Sequence, residues 1–242
     1  MDKHITTASR MLNAAMIAKL AEEAILKQAP AVQELLLQSK SEQTFSGLLA
    51  GCMQNYQPLD LGKIDDINSG SVLLEFKGEN YERTTRKGIE TSRNFHDISI
   101  VHQHGEFEVI IENKFWYHFD GCKGKKMPKP EKGIGKQIKG DIFKIRQTFK
   151  GITFGKKGFI LLNVVTPGNL SSFPKSYQGD HDKVFARTSG NIERYRADGI
   201  AGINSVIGTF SSSLKDIFHR STTALPQGGF IDFICAEINL EV

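Results

Sequence analysis

The amino-acid sequence predicts a mixed α/β fold, and three observations indicate it. Apolar side chains recur at helical spacing through much of residues 6–55. Five short segments further along the chain are rich in β-branched and aromatic residues, as strands usually are. Helical patterns separate the last three of these segments, so helices and strands alternate toward the end of the chain.

The first part of the chain is predicted to be helical. Residues 6–28 carry apolar side chains at helical spacing, and Pro30 ends that pattern. A second helix is predicted over residues 31–38. A third begins near Ser41, whose hydroxyl is suited to cap it, because Ser side chains accept hydrogen bonds from the free N–H groups of a first helical turn.

Three strands are predicted in the middle of the chain. They cover residues 71–78, 96–103 and 107–119, which are dominated by Val, Ile, Leu and Phe. Gly105 lies in the short connection between the last two of these strands. We therefore expect the second and third strands to pair as a hairpin.

The remaining elements complete the α/β pattern. A helix is predicted over residues 136–149 because isoleucines recur on one face, and a strongly apolar strand is predicted over 158–167. Residues 168–188 are predicted to be mostly loop. A helix over 191–210 and a fifth strand over 228–242 close the chain.

Composition excludes several classes of protein. Of the 242 residues 39% are hydrophobic and 24% are charged, as in ordinary globular proteins. Three widely spaced cysteines, Cys52, Cys122 and Cys235, give neither a disulfide framework nor zinc-ligand spacing. No apolar run has the length of a membrane span, and the first residues lack a signal-peptide pattern. We therefore expect a cytoplasmic protein without a membrane partner.

Positive charge is concentrated in one part of the chain. The formal net charge is only +4, yet residues 123–150 contain ten Lys or Arg residues and two acidic ones. The first part of this segment is rich in Gly and Pro, and we call its four lysines the basic loop: Lys123, Lys125, Lys126 and Lys129. A local basic block on a nearly neutral protein suggests an anionic partner such as nucleic acid.

Charged residues interrupt the most apolar predicted strand. Glu112 and Lys114 are two positions apart, so they project from the same face of that strand. Asp97 heads the neighbouring strand of the predicted hairpin and can come near Glu112. Two carboxylates brought together favour a divalent cation such as Mg²⁺ or Mn²⁺, and a nearby lysine can orient a water. The alternative is a solvated sheet face, with Asn113 and Phe115 turned toward the core.

The spacing Asp–x14–Glu–x–Lys, found here as "HDISIV…EVIIENK", resembles the PD-(D/E)XK nuclease superfamily, whose fold is called restriction-endonuclease-like. The resemblance implies that Asp97 and Glu112 bind the metal and that Lys114 serves the attacking water. The proline of the family signature is replaced by His96. The family core, αβββαβ, is similar to the order of elements predicted over residues 41–167.

The resemblance also implies roles for residues near Asp97, Glu112 and Lys114. A glutamate on the helix before the first strand often lies near the metal, and Glu42 has the matching position. The helix that follows the catalytic strand often bears a Gln or Lys facing the phosphate, and Gln137 and Lys139 are the matching residues. Together with the basic loop they form the predicted DNA-binding set.

From this resemblance we expect a Mg²⁺-dependent endonuclease acting on double-stranded DNA, with Mn²⁺ as a substitute, in a restriction or defence system. Cutting both strands suggests a homodimer. We expect three parts in the chain. Residues 1–40 would form a helical addition and residues 41–167 the nuclease core, and residues 168–242 would complete that core and offer a region for DNA recognition. Two alternatives stay open: a nucleic-acid-binding protein of the same fold that does not cleave, and a nuclease of DNA repair or RNA processing.

Overall fold

A computed structural model describes residues 12–39, 42–55, 71–77, 81–85, 88–92, 95–101, 107–122, 132–167, 175–222, 225 and 228–241. Its helices are α1 (Ala14–Leu26), α2 (Pro30–Ser39), α3 (Glu42–Asn55), α4 (His118–Gly121), α5 (Ile134–Thr148), α6 (Lys175–Arg187) and α7 (Ile192–Gly208). Its strands are β1 (Ser71–Lys77), β2 (Tyr81–Thr85), β3 (Gly88–Ser92), β4 (Phe95–Val101), β5 (Phe107–Tyr117), β6 (Lys157–Thr166), β7 (Leu214–Thr222) and β8 (Phe230–Ile238).

A six-stranded mixed sheet forms the centre of the structure, with the strand order β1-β4-β5-β6-β8-β7. Strands β5 and β6 run parallel, and helix α5 makes the crossover between them. The other neighbouring strands are antiparallel. Strands β2 and β3 pair with each other in a separate two-stranded ribbon.

Helices cover both faces of the sheet, which gives three layers. On one face, α1 and α3 bury residues such as Ile17 and Phe45 against alternate side chains of β5, β6 and β8. On the other face, α5 and α7 bury Ile142 and Ile203 against the intervening side chains of the same strands. Because β5 is buried on both faces, any charged side chain on it must find partners within the protein.

The predicted class is confirmed, since the chain is a mixed α/β protein with helices on both sides of a sheet. The predicted hairpin is also confirmed, because β4 and β5 pair antiparallel with Ile98 opposite Ile111. The order α3, β1, β4, β5, α5, β6 follows the predicted sequence of elements once the β2–β3 ribbon and the short helix α4, which was not predicted, are set aside. The restriction-endonuclease-like assignment stays a prediction.

The sequence prediction was wrong in the region 168–188, where a loop was expected and helix α6 occupies Lys175–Arg187. This helix is rich in polar residues and contains Gly179, so its apolar spacing is weak. Its buried contacts come from Val184 and from His181, whose ring packs between aromatic side chains. Strand β7 and the β2–β3 ribbon were not predicted either.

Glycines bring α7 close to the end of β5. A Cβ built on Gly199 would lie 2.5 Å from the backbone oxygen of His118, so only glycine fits there without a shift. Helix α4, which begins at His118, is thereby held directly against α7. In the part of the chain that the structure describes, no helix has the length and apolar character needed to cross a membrane.

Candidate active site

The register of β4 and β5 brings the predicted acidic residues together. Ile98 lies opposite Ile111, so the next positions outward, Asp97 on β4 and Glu112 on β5, are neighbours across the hairpin. Along β5 the side chains alternate between the two faces of the sheet. Glu112 and Lys114 therefore project toward α5, whereas Asn113 between them hydrogen-bonds Ser46 of α3.

Lys114 is the centre of the site. Its Nζ lies 3.3 Å from Oδ2 of Asp97, 3.6 Å from Oδ2 of Asp141 and 3.9 Å from Oε2 of Glu112. Only 12% of its side chain is exposed. Burial by itself would lower the pKa of Lys114, but the three carboxylates outweigh burial and hold that pKa above its usual range. Lys114 is therefore a fixed positive charge shared by three acids.

Glu112 is completely buried and has a different partner on each oxygen. Its Oε1 lies 2.8 Å from Nδ1 of His96, and its Oε2 lies 2.5 Å from Nζ of Lys144 on α5. Burial raises the pKa of Glu112 to about 7, although the charge of Lys144 opposes that rise. The nearby ammonium groups thus offset only part of the cost of burying this carboxylate.

Asp97 faces an open pocket. Its side chain is 29% exposed, and its Oδ2 accepts a hydrogen bond of 2.7 Å from the backbone N–H of Asn113. The pocket has a volume of about 470 Å³, and Glu42 and Leu74 are among the residues that line it. Glu42 begins α3 and accepts a hydrogen bond of 3.2 Å from the backbone N–H of Phe115. The structure therefore brings Glu42 and Asp97 to the same opening.

Helix α5 contributes three residues to the site that were not predicted. Asp141, Lys144 and Thr148 lie three, then four, positions apart, so they share one face of the helix. That face points at β5, because Asp141 contacts Lys114 and Lys144 contacts Glu112. Burial raises the pKa of Asp141 to about 7. The polar stripe at helical spacing was a signal in the sequence that could have indicated these residues.

The two α5 residues that were predicted lie near the start of the same helix and are exposed. Gln137 precedes Asp141 by one turn, so it extends the polar stripe toward solvent. Lys139 follows Gln137 by two positions, which turns it by about 200° around the helix axis, away from that stripe. Their proposed contacts with DNA stay predictions. The basic loop, with Lys123, Lys125, Lys126 and Lys129, lies outside the described residues.

His96, the residue before Asp97, is also part of the site. It is completely buried, and its Nε2 lies 2.9 Å from Oγ1 of Thr148. Burial lowers the pKa of His96 to about 3, and the charge of Lys144 acts in the same direction. The imidazole is therefore uncharged at neutral pH. No functional role was predicted for His96 from the sequence.

The charges at the site do not balance. Four carboxylates surround it, and two ammonium groups oppose them, which leaves a formal excess of two negative charges: Glu42, Asp97, Glu112 and Asp141 against Lys114 and Lys144. Burial raises the pKa values of Glu112 and Asp141, and the two ammonium groups offset only part of that rise. Asp97 and Glu112 are the oxygen donors that could hold a cation.

Within the described ranges, no group of three or more His, Cys, Asp or Glu side chains is arranged to hold a metal ion. A scan against protein-family profiles, a search of curated proteins and a search of solved structures each found no match to this chain. Function is therefore inferred from the side chains of this site and from the pocket beside it.

Proposed function

We propose that this protein is a Mg²⁺-dependent endonuclease that hydrolyses phosphodiester bonds of DNA. One observation carries the proposal: acids from two neighbouring strands, Asp97 and Glu112, converge on one buried lysine, Lys114, beside an open pocket. A sheet with a purely structural role would gain nothing from this arrangement, because burying several charges costs more than burying apolar side chains of similar size.

The donor set suits a hard divalent cation. Mg²⁺ usually keeps several waters and is held by one or two carboxylates together with substrate phosphates, so two protein ligands are sufficient. Asp97 and Glu112 supply those carboxylates, and Glu42 adds negative charge at the mouth of the pocket. The cation would supply Lewis-acid stabilisation of charge on the phosphate and would lower the pKa of a water.

The protein's own residues have separate roles in this proposal. Asp97 and Glu112 bind the cation, and Lys114 holds the attacking water and a non-bridging oxygen of the scissile phosphate through its N–H groups. Asp141 lies 3.6 Å from Lys114 and, with Glu112 and Asp97, keeps the lysine protonated and in place. Lys144 neutralises Glu112 from the side of α5. The basic loop grips the DNA backbone.

DNA cleavage in a restriction or defence system is the context that we propose, and a homodimer would place one site on each strand of a duplex. The local basic segment favours nucleic acid over a small phosphodiester as the substrate. The same carboxylates and lysine would also serve hydrolysis of RNA, so both nucleic acids belong in the test.

The test is cleavage of supercoiled plasmid, linear duplex DNA and RNA by the wild-type protein with Mg²⁺ or Mn²⁺. Asp97→Asn and Glu112→Gln should lose cleavage by a factor on the order of 10²–10⁴ or more, and calorimetry should show that both lose Mn²⁺ binding. Asp198→Asn, on the exposed surface of α7, removes a carboxylate that has no contact with the site residues described above and is the matched control for loss of one negative charge.

Four outcomes separate the alternatives. Discrete DNA fragments support a sequence-specific endonuclease, and a smear supports a nonspecific one. If the protein binds DNA but does not cleave it with either Mg²⁺ or Mn²⁺, the result supports the non-cleaving alternative and contradicts our proposal. Cleavage that survives in both Asp97→Asn and Glu112→Gln would show that the chemistry lies elsewhere.

A further inference from the structure

The ring of His96 connects Glu112 to helix α5. Its Nδ1 lies 2.8 Å from Oε1 of Glu112 and its Nε2 lies 2.9 Å from Oγ1 of Thr148, so both ring nitrogens are engaged. The side chains of His96 and Glu112 are completely buried. The ring also packs edge-on against Phe107, with centroids 5.6 Å apart.

The two oxygens of Glu112 are held by partners of different kinds. Oε1 faces the rigid, buried ring of His96. Oε2 faces the ammonium of Lys144, whose side chain is 15% exposed and has a flexible four-carbon stem. Oε2 is also the oxygen nearest to Lys114, at 3.9 Å. The ammonium of Lys144 also donates a hydrogen bond of 2.6 Å to the backbone oxygen of Phe95, and this partner would remain if another cation took its place beside Oε2.

The hydrogen positions follow from counting donors and acceptors. An uncharged imidazole carries one N–H, and an ionised carboxylate only accepts hydrogen bonds. The proton of His96 must therefore sit on Nδ1 when Glu112 is ionised, and Nε2 must accept from the hydroxyl of Thr148. That hydroxyl has only one hydrogen, and the backbone oxygen of Lys144, at the longer distance of 3.2 Å, is the competing acceptor.

We propose that His96 is a positioning residue: Glu112 and Thr148 hold the two nitrogens of its ring, and the ring fixes Oε1 of Glu112 and leaves Oε2 as the one oxygen of that carboxylate presented to a cation. This inference rests on the proposed function for the role of the cation. It assigns a task to the residue at which the chain departs from the family signature, and to a threonine one turn beyond Lys144 on α5.

The tautomer can be measured without any metal or substrate. The measurement is made at pH 8.5 in EDTA. The ¹⁵N chemical shifts of the imidazole distinguish a protonated from an unprotonated ring nitrogen, and the His96 signals are assigned by their loss in His96→Asn. We expect Nδ1 to be protonated in the wild-type protein. Protonation on Nε2 instead would overturn the proposal.

A pair of threonine variants tests the consequence for the cation. Thr148→Val keeps the shape of the side chain but removes the hydroxyl that holds Nε2, so it should loosen the ring of His96 and weaken Mn²⁺ binding by about 10-fold to 100-fold in calorimetry. Thr148→Ser restores the hydroxyl and should bind Mn²⁺ within about 3-fold of wild type. At saturating Mn²⁺ the cleavage rate of Thr148→Val should recover toward the wild-type rate.

The failures of the two proposals are distinguishable. A wild-type protein that binds no Mn²⁺ and cleaves no nucleic acid overturns the proposed function and the cation-facing role together. If the wild-type protein cleaves nucleic acid and binds Mn²⁺, and Thr148→Val binds Mn²⁺ with the same affinity, the positioning role alone is overturned. Where Thr148→Val does not fold, the tautomer of the wild-type protein decides the question.

Discussion

Replacing Lys114 by methionine should destabilise the metal-free protein as well as abolish cleavage. Methionine keeps the length of the side chain and removes its charge. The structure surrounds the ammonium of Lys114 with the carboxylates of Asp97, Asp141 and Glu112, all within 3.9 Å. After the substitution Lys144 is the one ammonium that the described contacts still place beside these acids.

The size of the effect follows from burial. Removing one partner of a buried ion pair typically costs about 3–5 kcal/mol, because the remaining charge is left uncompensated. Lys114 is only 12% exposed, so solvent screens the loss weakly. We therefore expect the free energy of unfolding of Lys114→Met to fall by about 3–5 kcal/mol at pH 8.

The cost should shrink at lower pH. In the wild-type protein Glu112 and Asp141 each have a pKa of about 7, well above their ordinary values of 4.5 and 3.8. Because the folded state binds protons that the unfolded state does not, these two carboxyls destabilise the fold as pH rises toward 8. Without Lys114 both pKa values rise further. If each rises by one unit, Lys114→Met recovers about 2 kcal/mol more than wild type between pH 8 and pH 6.

The assay is urea denaturation in EDTA at pH 6 and pH 8, with Lys19→Met as the control for loss of an exposed lysine. Cleavage is measured in parallel at a temperature well below each variant's Tm, so that a lost activity is not simply a lost fold. A destabilisation below about 1 kcal/mol, or one that is the same at both pH values, would refute the shared-charge arrangement around Lys114.

Three further predictions concern other parts of the molecule. Replacing all four lysines of the basic loop by Gln should weaken duplex binding and flatten its salt dependence by up to about 0.9 per lost phosphate contact in binding titrations, and an unchanged slope would exclude these contacts. Gly199→Ala should lower the free energy of unfolding by about 1–3 kcal/mol, because its Cβ would meet the backbone of α4, whereas Gly208→Ala, at an open position, should be neutral or stabilising. Asp232→Asn should lower the free energy of unfolding by about 3–5 kcal/mol at pH 7 in urea denaturation, because Asp232 is buried and pairs with Arg196. The pKa of Asp232 lies below its ordinary value of 3.8, so the stabilisation from the ionised carboxylate is present above pH 3.8 and is lost as pH falls. A cost under about 1 kcal/mol at pH 7 would contradict this prediction.

The sheet was predictable where the sequence pattern was strong. The apolar runs of β5 and β6 are long and rich in β-branched residues, and the hairpin of β4 and β5 follows from their short connection. Strand β7 was missed because its side chains are mostly exposed and polar, so it lacks the apolar run that identified the other strands. Helix α6 was missed because its helical character comes from tertiary packing rather than from spacing or propensity.

The site residues on the paired strands β4 and β5 were predictable from the sequence, whereas those on helix α5 were not. Asp97, Glu112 and Lys114 converge because strand pairing fixes their neighbours, and a motif in one hairpin is enough to infer that. Asp141 and Lys144 reach the site through the crossover helix, and the rotation of that helix is set by how its isoleucines pack in the core. A sequence pattern gives the polar stripe on α5 but not the direction in which the packed helix points it.

The buried charges on β5 also explain why the same residues should matter for both stability and chemistry. Glu112 lies at the middle of the sheet, where an isolated carboxylate would take up a proton, and burial raises its pKa to about 7. A cation bound between Asp97 and Glu112 would relieve that cost, so its binding energy would be folding energy as well. Mg²⁺ should therefore raise the Tm of the wild-type protein more at pH 8, where the carboxyls are ionised, than at pH 6. In Asp97→Asn this stabilisation should be absent at both pH values; an equal rise in Tm in the variant would mean that Mg²⁺ acts elsewhere on the molecule.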